Sequence, residues 1–172
     1  MPPPRRDPGG RAVKILISAC LLGVNCKYDG GNNRAEALLP LLRGHDVRSV
    51  CPEVLGGLPV PRTPAEMKDG EVVFEDGTSA DAAFRTGARA GLALARMLQP
   101  DLVILKSRSP SCGAGEIYDG SFSHVRIPGD GVFAGILKEE GFRVIADEDA
   151  PRVLSEMKLP AAESAGGKAC HD

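Results

Sequence analysis

The amino-acid sequence predicts a single α/β domain, Rossmann-like, with a mostly parallel sheet, flanking helices and a site at the carboxyl ends of the strands. Two observations support this fold class. Short apolar runs alternate along the chain with segments of helical character, and such alternation forms βαβ units that build a parallel sheet. The 172 residues are enough for one sizeable core and short for two domains.

The first third of the chain predicts two strands and a helix. Residues 13–19 (VKILISA) form a short apolar run that predicts a strand, and the glycine-bearing CLLGVNCKYDGGNN after it predicts a loop. Asn33 is suited to cap a helix over residues 34–43, and Gly44 is suited to end it. Residues 47–50 predict the second strand.

The middle of the chain contains the clearest helix. Residues 56–78 are rich in Gly and Pro, and the EVVFEDG stretch within them predicts a small strand or hairpin arm. Residues 79–98 predict a long helix, because Ala, Leu and Arg dominate and apolar residues recur at helical spacing. Residues 102–105 (LVIL) predict the third strand.

The last third of the chain completes the predicted domain. Residues 131–140 predict a helix that Gly141 ends, and residues 142–146 (FRVIA) predict the fourth strand. A final short helix is expected over residues 151–158. We therefore expect one α/β domain over residues 13–158.

The two ends of the chain fall outside this domain. Residues 1–12 have no apolar segment of the kind found in signal peptides and predict a disordered lead, while residues 159–172 predict a loose tail. Every apolar run is far shorter than the ~18 residues of a membrane span. We expect a cytoplasmic protein whose five cysteines stay reduced, which favours metal binding or catalysis over a disulfide framework.

The charge of the chain argues against polymer partners. The formal charge of -2 and the pI near 5.9 do not provide the basic surface that nucleic acid or an anionic membrane would require. We therefore expect a small-molecule partner and neither a nucleic-acid polymer nor a membrane.

Three cysteines follow three of the predicted strands. Cys20 and Cys51 come directly after the first and second strands, and Cys112 lies seven residues beyond the third. Parallel strands end at one edge of the sheet, and neighbouring strands are ~4.8 Å apart, so thiols remote in sequence can reach a common centre there. The pattern predicts one site shared by all three.

The sequence leaves several interpretations of these thiols open. Free cysteines are often small buried hydrophobes, and a mononuclear zinc site usually has local ligand pairs and four closed positions. The C-x5-R loop of phosphate-binding cysteine nucleophiles is absent, and no Cys-His signature is recognisable. Three soft thiolates favour an iron–sulfur cluster, and a 4Fe-4S cluster held by three cysteines leaves one iron free for a substrate atom.

Longer blocks of the sequence carry a family resemblance. The stretches SACLLGVNCKYDGG, VCPEVLGGLPVPRTPAE, LKSRSPSCG, IYDGSFS and GDGVFAGILKEEGFRV resemble the bacterial 2-thiouracil desulfurase family, over about residues 14–148. The resemblance implies a desulfurase, broadly a hydrolase, that removes sulfur from a thiolated pyrimidine base, converting 2-thiouracil to uracil with release of sulfide. It also implies a 4Fe-4S cluster on three cysteines, whose open iron takes the departing sulfur.

The resemblance assigns roles to five residues by motif. Cys20, Cys51 and Cys112 are implied as the cluster ligands. Glu53 of the CPE block is implied as the acid/base residue, and Ser109 of the SPSCG block as the polar neighbour of the substrate. A carboxylate two residues from a ligand is suited to activate water or to protonate the ring nitrogen.

Two features leave alternatives open. If Cys26 were a fourth ligand, no iron would remain free, and the protein would be a non-catalytic iron–sulfur module; a zinc-binding module and a plain α/β ligand-binding domain are further alternatives. The two YDG turns, which begin at Tyr28 and Tyr118, are candidates to line a base pocket, although ordinary turn chemistry explains both.

Overall fold

A parallel sheet of four strands lies at the centre of the protein, for which the computed structural model describes residues 13–157. In chain order the strands are β1 (Lys14–Ser18), β2 (Asp46–Val50), β3 (Ala65–Lys68), β4 (Glu71–Phe74), β5 (Leu102–Leu105), β6 (Glu116–Tyr118), β7 (Arg126–Pro128) and β8 (Val144–Ala146). The central sheet has the order β2-β1-β5-β8, which confirms the predicted fold class and its four strands. The predicted lead (residues 1–12) and tail (residues 159–172) lie outside the described residues.

Helices cover both faces of the central sheet. They are α1 (Leu39–Leu42), α2 (Pro52–Leu55), α3 (Asp81–Leu98), α4 (Val132–Glu139) and α5 (Ala150–Glu156). Leu16 and Val103 pack with α3 and α4 on one face, whereas Ile15 and Ile104 pack with α1 and α5 on the other. Because both faces are buried, β1 and β5 are nearly continuous apolar runs without polar alternation.

Two small hairpins extend from this core. Strands β3 and β4 pair antiparallel, which confirms that EVVFEDG supplies a hairpin arm. Strands β6 and β7 also pair antiparallel, in a segment for which the sequence predicted no strand. Each of these two strands has three residues, too few for an alternating pattern to be recognised.

The helix predicted over residues 34–43 is wrong in its extent. Only Leu39–Leu42 is helical, with Pro40 in its first turn. A helix that began at residue 34 would place Pro40 in its interior, where proline costs about 3 kcal/mol, while the first turn tolerates it. Asn33 is therefore not a helix cap. The other three predicted helices are confirmed as α3, α4 and α5.

Helix α2 crosses α3 at very short distance. A Cβ atom at Gly87 would lie 1.8 Å from the carbonyl oxygen of Pro52, so only glycine fits at this position of α3. Cys51 is the N-cap of α2, and Glu53 lies in its first turn. Gly87 thus fixes the placement of two predicted site residues.

Within residues 13–157, none of the helices combines the length and the apolar character needed to cross a membrane.

Candidate active site

A cavity of about 450 Å³ opens at the carboxyl ends of the central strands. Ser18 and Val50, the last residues of β1 and β2, line it together with Lys106, which follows β5. The other lining residues that matter for chemistry are Cys20, Cys26, Tyr28, Asn33, Cys51, Glu53, Arg62, Glu66, Ser109, Ser111, Cys112, Tyr118, Phe122 and His124. The cavity lies where an open parallel sheet places its ligands.

Cys20 lies in a short 3₁₀ helix, Ala19–Leu22, directly after β1. Its thiol is half-buried, and the side-chain amide of Asn33 donates a hydrogen bond of 3.4 Å to its Sγ atom. Burial raises the pKa of the Cys20 thiol, and the Asn33 bond acts in the opposite direction. Asn33, expected as a helix cap, therefore belongs to the cavity.

Cys51 follows β2 directly and begins α2. Its thiol is half-buried, and its Sγ atom lies 4.0 Å from the backbone carbonyl oxygen of Cys26. The extended backbone at Cys51 (φ -128°, ψ 100°) passes into the helix at Pro52, for which a fixed φ is already suitable. The strand end and the helix start thus hold this thiol at the cavity from both sides.

Cys112 is buried although it lies in the loop after β5. The hydroxyl oxygen of Ser109 accepts hydrogen bonds from the backbone N–H groups of Ser111 (3.1 Å) and Cys112 (3.0 Å), which closes the loop into a tight turn. Burial raises the pKa of the Cys112 thiol, while a hydrogen bond from Ser18 opposes this effect. The loop is thus ordered by its own short polar side chains.

The structure brings Cys20, Cys51 and Cys112 to one cavity, as the strand-end pattern predicts. All three are free thiols. Among residues 13–157, no three His, Cys, Asp or Glu side chains are arranged around a single metal ion. A 4Fe-4S cluster does not need such convergence, because each thiolate binds a different iron atom. The donor set of three thiols at one cavity therefore fits a cluster better than a mononuclear zinc ion.

Cys26 lines the same cavity and is buried. Burial, followed by the nearby Cys51 thiol, raises the pKa of Cys26 to about 12. Its backbone carbonyl oxygen also accepts a hydrogen bond of 2.8 Å from the Nη2 atom of Arg62. Cys26 is therefore a neighbour of the three predicted ligands.

Glu53 points toward the cavity from the first turn of α2, with a side chain that is 16% exposed. Its Oε1 atom accepts a hydrogen bond of 3.0 Å from Nε of Arg62 and forms an ion pair with Nη2 of the same guanidinium at 2.8 Å. Its Oε2 atom accepts a hydrogen bond of 2.8 Å from the hydroxyl of Ser111. A surface salt bridge, the ordinary alternative for such a residue, does not describe this half-buried carboxylate, which has a partner at each of its two oxygens.

Arg62 is a site residue that the sequence did not single out. Its side chain is 4% exposed, and besides Glu53 and Cys26 it donates to the carbonyl oxygen of Pro59 (3.1 Å). The available signal was an arginine flanked by prolines in PVPRTP, within a segment that had no readable periodicity. Without a helical or strand periodicity, the sequence does not predict whether the Arg62 side chain is buried or exposed.

Both YDG turns contribute to the cavity. Tyr28 and Tyr118 line it, and in each turn the aspartate accepts a hydrogen bond from the backbone N–H two residues later. The buried carboxylate of Glu66 accepts N–H bonds of 3.1 Å from Gly120 and Phe122, which holds the second turn against the cavity. The turns are thus ordinary in chemistry and also form two of the cavity walls.

Comparisons with known proteins identify the family to which the chain is similar. The model of the 2-thiouracil desulfurase family matches residues 15–149. A protein of Bacillus subtilis (strain 168), described as uncharacterized protein YbbK, is 38% identical over 150 residues, covering 81% of this chain and 99% of that protein. A solved structure, the 4Fe-4S-dependent thiouracil desulfidase TudS, is 37% identical with a TM-score of 0.76, covering 89% of this chain and 99% of that chain.

Proposed function

Because the chain belongs to the 2-thiouracil desulfurase family, we propose that it converts a thiolated pyrimidine base such as 2-thiouracil, with water, to the corresponding oxo base and sulfide. The observation that carries this proposal is the convergence of Cys20, Cys51 and Cys112, remote in sequence, on one cavity that also holds Glu53. The enzyme class is desulfidase, the name of the solved relative, which corrects the broader expectation of a hydrolase.

Cys20, Cys51 and Cys112 would hold a 4Fe-4S cluster at the cavity. When bound, such a cluster would supply a soft Lewis acid suited to the thiocarbonyl sulfur of the substrate. The raised pKa values of Cys20 and Cys112 mean that both thiols must lose their protons when the cluster is loaded. Three ligands from three segments would fix the cluster position through the sheet itself.

Glu53 is proposed to move the proton. Its Oε1 atom is held by Arg62, and its Oε2 atom by the Ser111 hydroxyl, so the carboxylate has one orientation at the cavity wall. From there it can take a proton from the attacking water or pass one to the ring nitrogen of the base. A fixed orientation matters because proton transfer requires hydrogen-bond distances to the reacting group.

Ser109 is proposed as the polar neighbour of the substrate, and it also has a structural role in the loop. It lines the cavity, and its hydroxyl lies 3.0 Å from the hydroxyl of Ser111, which in turn donates to Glu53. The two hydroxyls therefore form a chain of hydrogen bonds that ends on the proposed proton carrier. Ser109 also accepts two backbone N–H bonds, so its removal would loosen the turn around Cys112.

A second candidate function rests on Cys26, which is buried at the same cavity. Four thiolates would close a cluster and leave no iron for a substrate, and the protein would then be a non-catalytic iron–sulfur module. The two candidates differ in the number of cysteines that iron binding requires, which can be measured.

The test is anaerobic purification with iron and acid-labile sulfide determination, followed by chromatographic measurement of uracil formed from 2-thiouracil. We expect Cys20→Ser, Cys51→Ser and Cys112→Ser each to lose iron, while Cys26→Ser keeps it. Glu53→Gln should keep the cluster absorption and lose about 100-fold or more in rate. The matched control is Glu140→Gln, which removes a surface carboxylate paired with Arg96. Loss of iron in Cys26→Ser together with no uracil from the wild type would favour the second candidate.

A further inference from the structure

Arg62 joins three separate segments of the cavity wall with one guanidinium group. Nε donates to Oε1 of Glu53 in α2, and Nη2 forms an ion pair with the same oxygen. Nη2 donates to the carbonyl oxygen of Cys26, and Nη1 donates to that of Pro59. The backbone N–H of Arg62 also donates to the carbonyl oxygen of Tyr28, at 2.6 Å. The side chain is 4% exposed, so these contacts replace almost all of its contact with water.

We propose that Arg62 is a positioning residue, which fixes the Glu53 carboxylate at the orientation that the desulfidase reaction requires. The inference rests on the proposed function, because it presumes that Glu53 carries the proton. Arg62 itself acts through Glu53 and needs no contact with the substrate.

The two oxygen atoms of the Glu53 carboxylate have different partners, and this supports the positioning role. Arg62 holds Oε1 by the hydrogen bond from Nε and the ion pair with Nη2, while Oε2 accepts from the Ser111 hydroxyl at 2.8 Å. One oxygen is thus anchored, and the other is directed to the hydroxyl chain of the SPSCG loop. Without the anchor, the carboxylate could rotate about its side-chain torsions and lose the Ser111 contact.

The guanidinium group of Arg62 is itself held in place. The carbonyl oxygens of Cys26 and Pro59 hold Nη2 and Nη1, so Arg62 cannot move along with a rotating carboxylate. A planar fork with several fixed donors makes this arrangement possible, and the single ammonium of lysine cannot reproduce it. Arg62→Lys therefore keeps the charge but not the geometry.

Removal of Arg62 should also leave the half-buried Glu53 carboxylate without its charged partner. Breaking a buried ion pair on one side is strongly destabilising, since the remaining charge stays uncompensated. The effect of Arg62→Gln should therefore depend on whether Glu53 is present. This dependence distinguishes a positioning role from a general contribution to the fold.

The first arm of the experiment is a double-mutant cycle on the cluster-loaded enzyme with Arg62→Gln, Glu53→Gln and the double variant. We expect Arg62→Gln to lower kcat about 100-fold with iron content retained. In the Glu53→Gln background the same change should alter kcat less than about 3-fold, because the group it positions is already gone. Multiplicative losses would overturn the proposal, as would full activity in Arg62→Lys.

The second arm measures the Tm of the same proteins without the cluster, and so stands apart from activity. We expect the double variant to lose less Tm than the sum of the single variants, because neither charge is then left alone. The control pair is Arg96→Gln and Glu140→Gln, which removes an exposed ion pair and should change Tm by no more than about 2–4 °C.

The two arms test the positioning role of Arg62 separately from the proposed function. If wild-type enzyme released no uracil from 2-thiouracil, the proposed function would fail, whereas the Tm cycle would still measure the coupling of Arg62 to Glu53. Additive Tm losses would overturn the positioning role even in an active enzyme. If Arg62→Gln fails to fold, Arg62→Lys carries both arms, with an expected loss in kcat of at least about 10-fold.

Discussion

The hydroxyl of Ser111 donates a hydrogen bond of 2.8 Å to Oε2 of Glu53, across 58 positions of the chain. The bond connects the loop after β5 to the first turn of α2, and it places Cys112 next to the residue that contacts the proposed proton carrier. Since Ser111 is buried, water cannot readily replace its hydroxyl if it is removed.

Ser111→Ala should therefore lower kcat roughly 10- to 100-fold, because a hydrogen bond to a charged group contributes about 1.5–3 kcal/mol. Iron content measured alongside the rate should stay at the wild-type level. The control is Ser155→Ala, which removes an exposed hydroxyl bonded to the carbonyl of Pro151 in α5. Equal rates for Ser111→Ala and wild type would show that Glu53 does not need this donor.

Gly87→Ala should destabilise the protein by about 1–3 kcal/mol, because its Cβ would meet the Pro52 carbonyl oxygen at 1.8 Å. Backbone must shift to relieve this contact, and the shift would displace Cys51 and Glu53 with α2. Urea denaturation measures the first effect and the rate of desulfuration the second.

Gly135→Ala is the matched control for this change. It lies in α4, and a Cβ atom there would lie 3.8 Å from the Cβ of Asp130, an ordinary van der Waals distance. Alanine is favoured over glycine in a helix by up to about 1 kcal/mol, so this variant should gain stability. A Gly87→Ala protein as stable as Gly135→Ala would contradict the close crossing of α2 and α3.

Asn33→Ala should make the Cys20 thiol less reactive in cluster-free protein. The Asn33 amide donates to Sγ and lowers the pKa of Cys20 against the larger, raising effect of burial, so loss of the amide should raise that pKa further. Alkylation near pH 8, followed by mass spectrometry of the Cys20 peptide, should be slower. Asn25→Ala, which removes only an exposed contact to Asn32, should leave the rate unchanged.

The stability of the cluster-free, reduced protein should fall in alkali. Burial raises the pKa of Cys26 from 9.0 to about 12 and also raises that of Cys112. A pKa that is higher in the folded state stabilises the fold fully below the unfolded value, and this stabilisation is lost as the pH rises toward the folded value. The Tm should thus decline between about pH 9 and 12, less steeply in Cys26→Ala; a pH-independent Tm difference between the two proteins would contradict this.

The sequence predicts the part of this site that depends on the sheet. Strands β1 and β5 are recognisable because they are buried on both faces, and Cys20 and Cys51 follow strand ends directly, so their convergence is a consequence of parallel topology. The roles of these residues as ligands, and those of Glu53 and Ser109 in catalysis, stay predictions.

The sequence does not predict the contacts made by the loops in the same way. Arg62 reaches Glu53 from a proline-rich stretch without periodicity, and Asn33 resembles a helix cap until Pro40 limits the helix to a single turn. Side-chain bonds of this kind depend on how the chain returns to the cavity, which no local pattern encodes.

The chain order of the cavity walls has a practical consequence. Cys20, Cys51 and Glu53 all precede the turn at Gly77, whereas Ser111 and Cys112 follow it. A break at that turn would divide the pocket into two incomplete portions, each without a thiol that the other supplies. A mixture of the two fragments would then release uracil only after they reassemble, so uracil release would report their association.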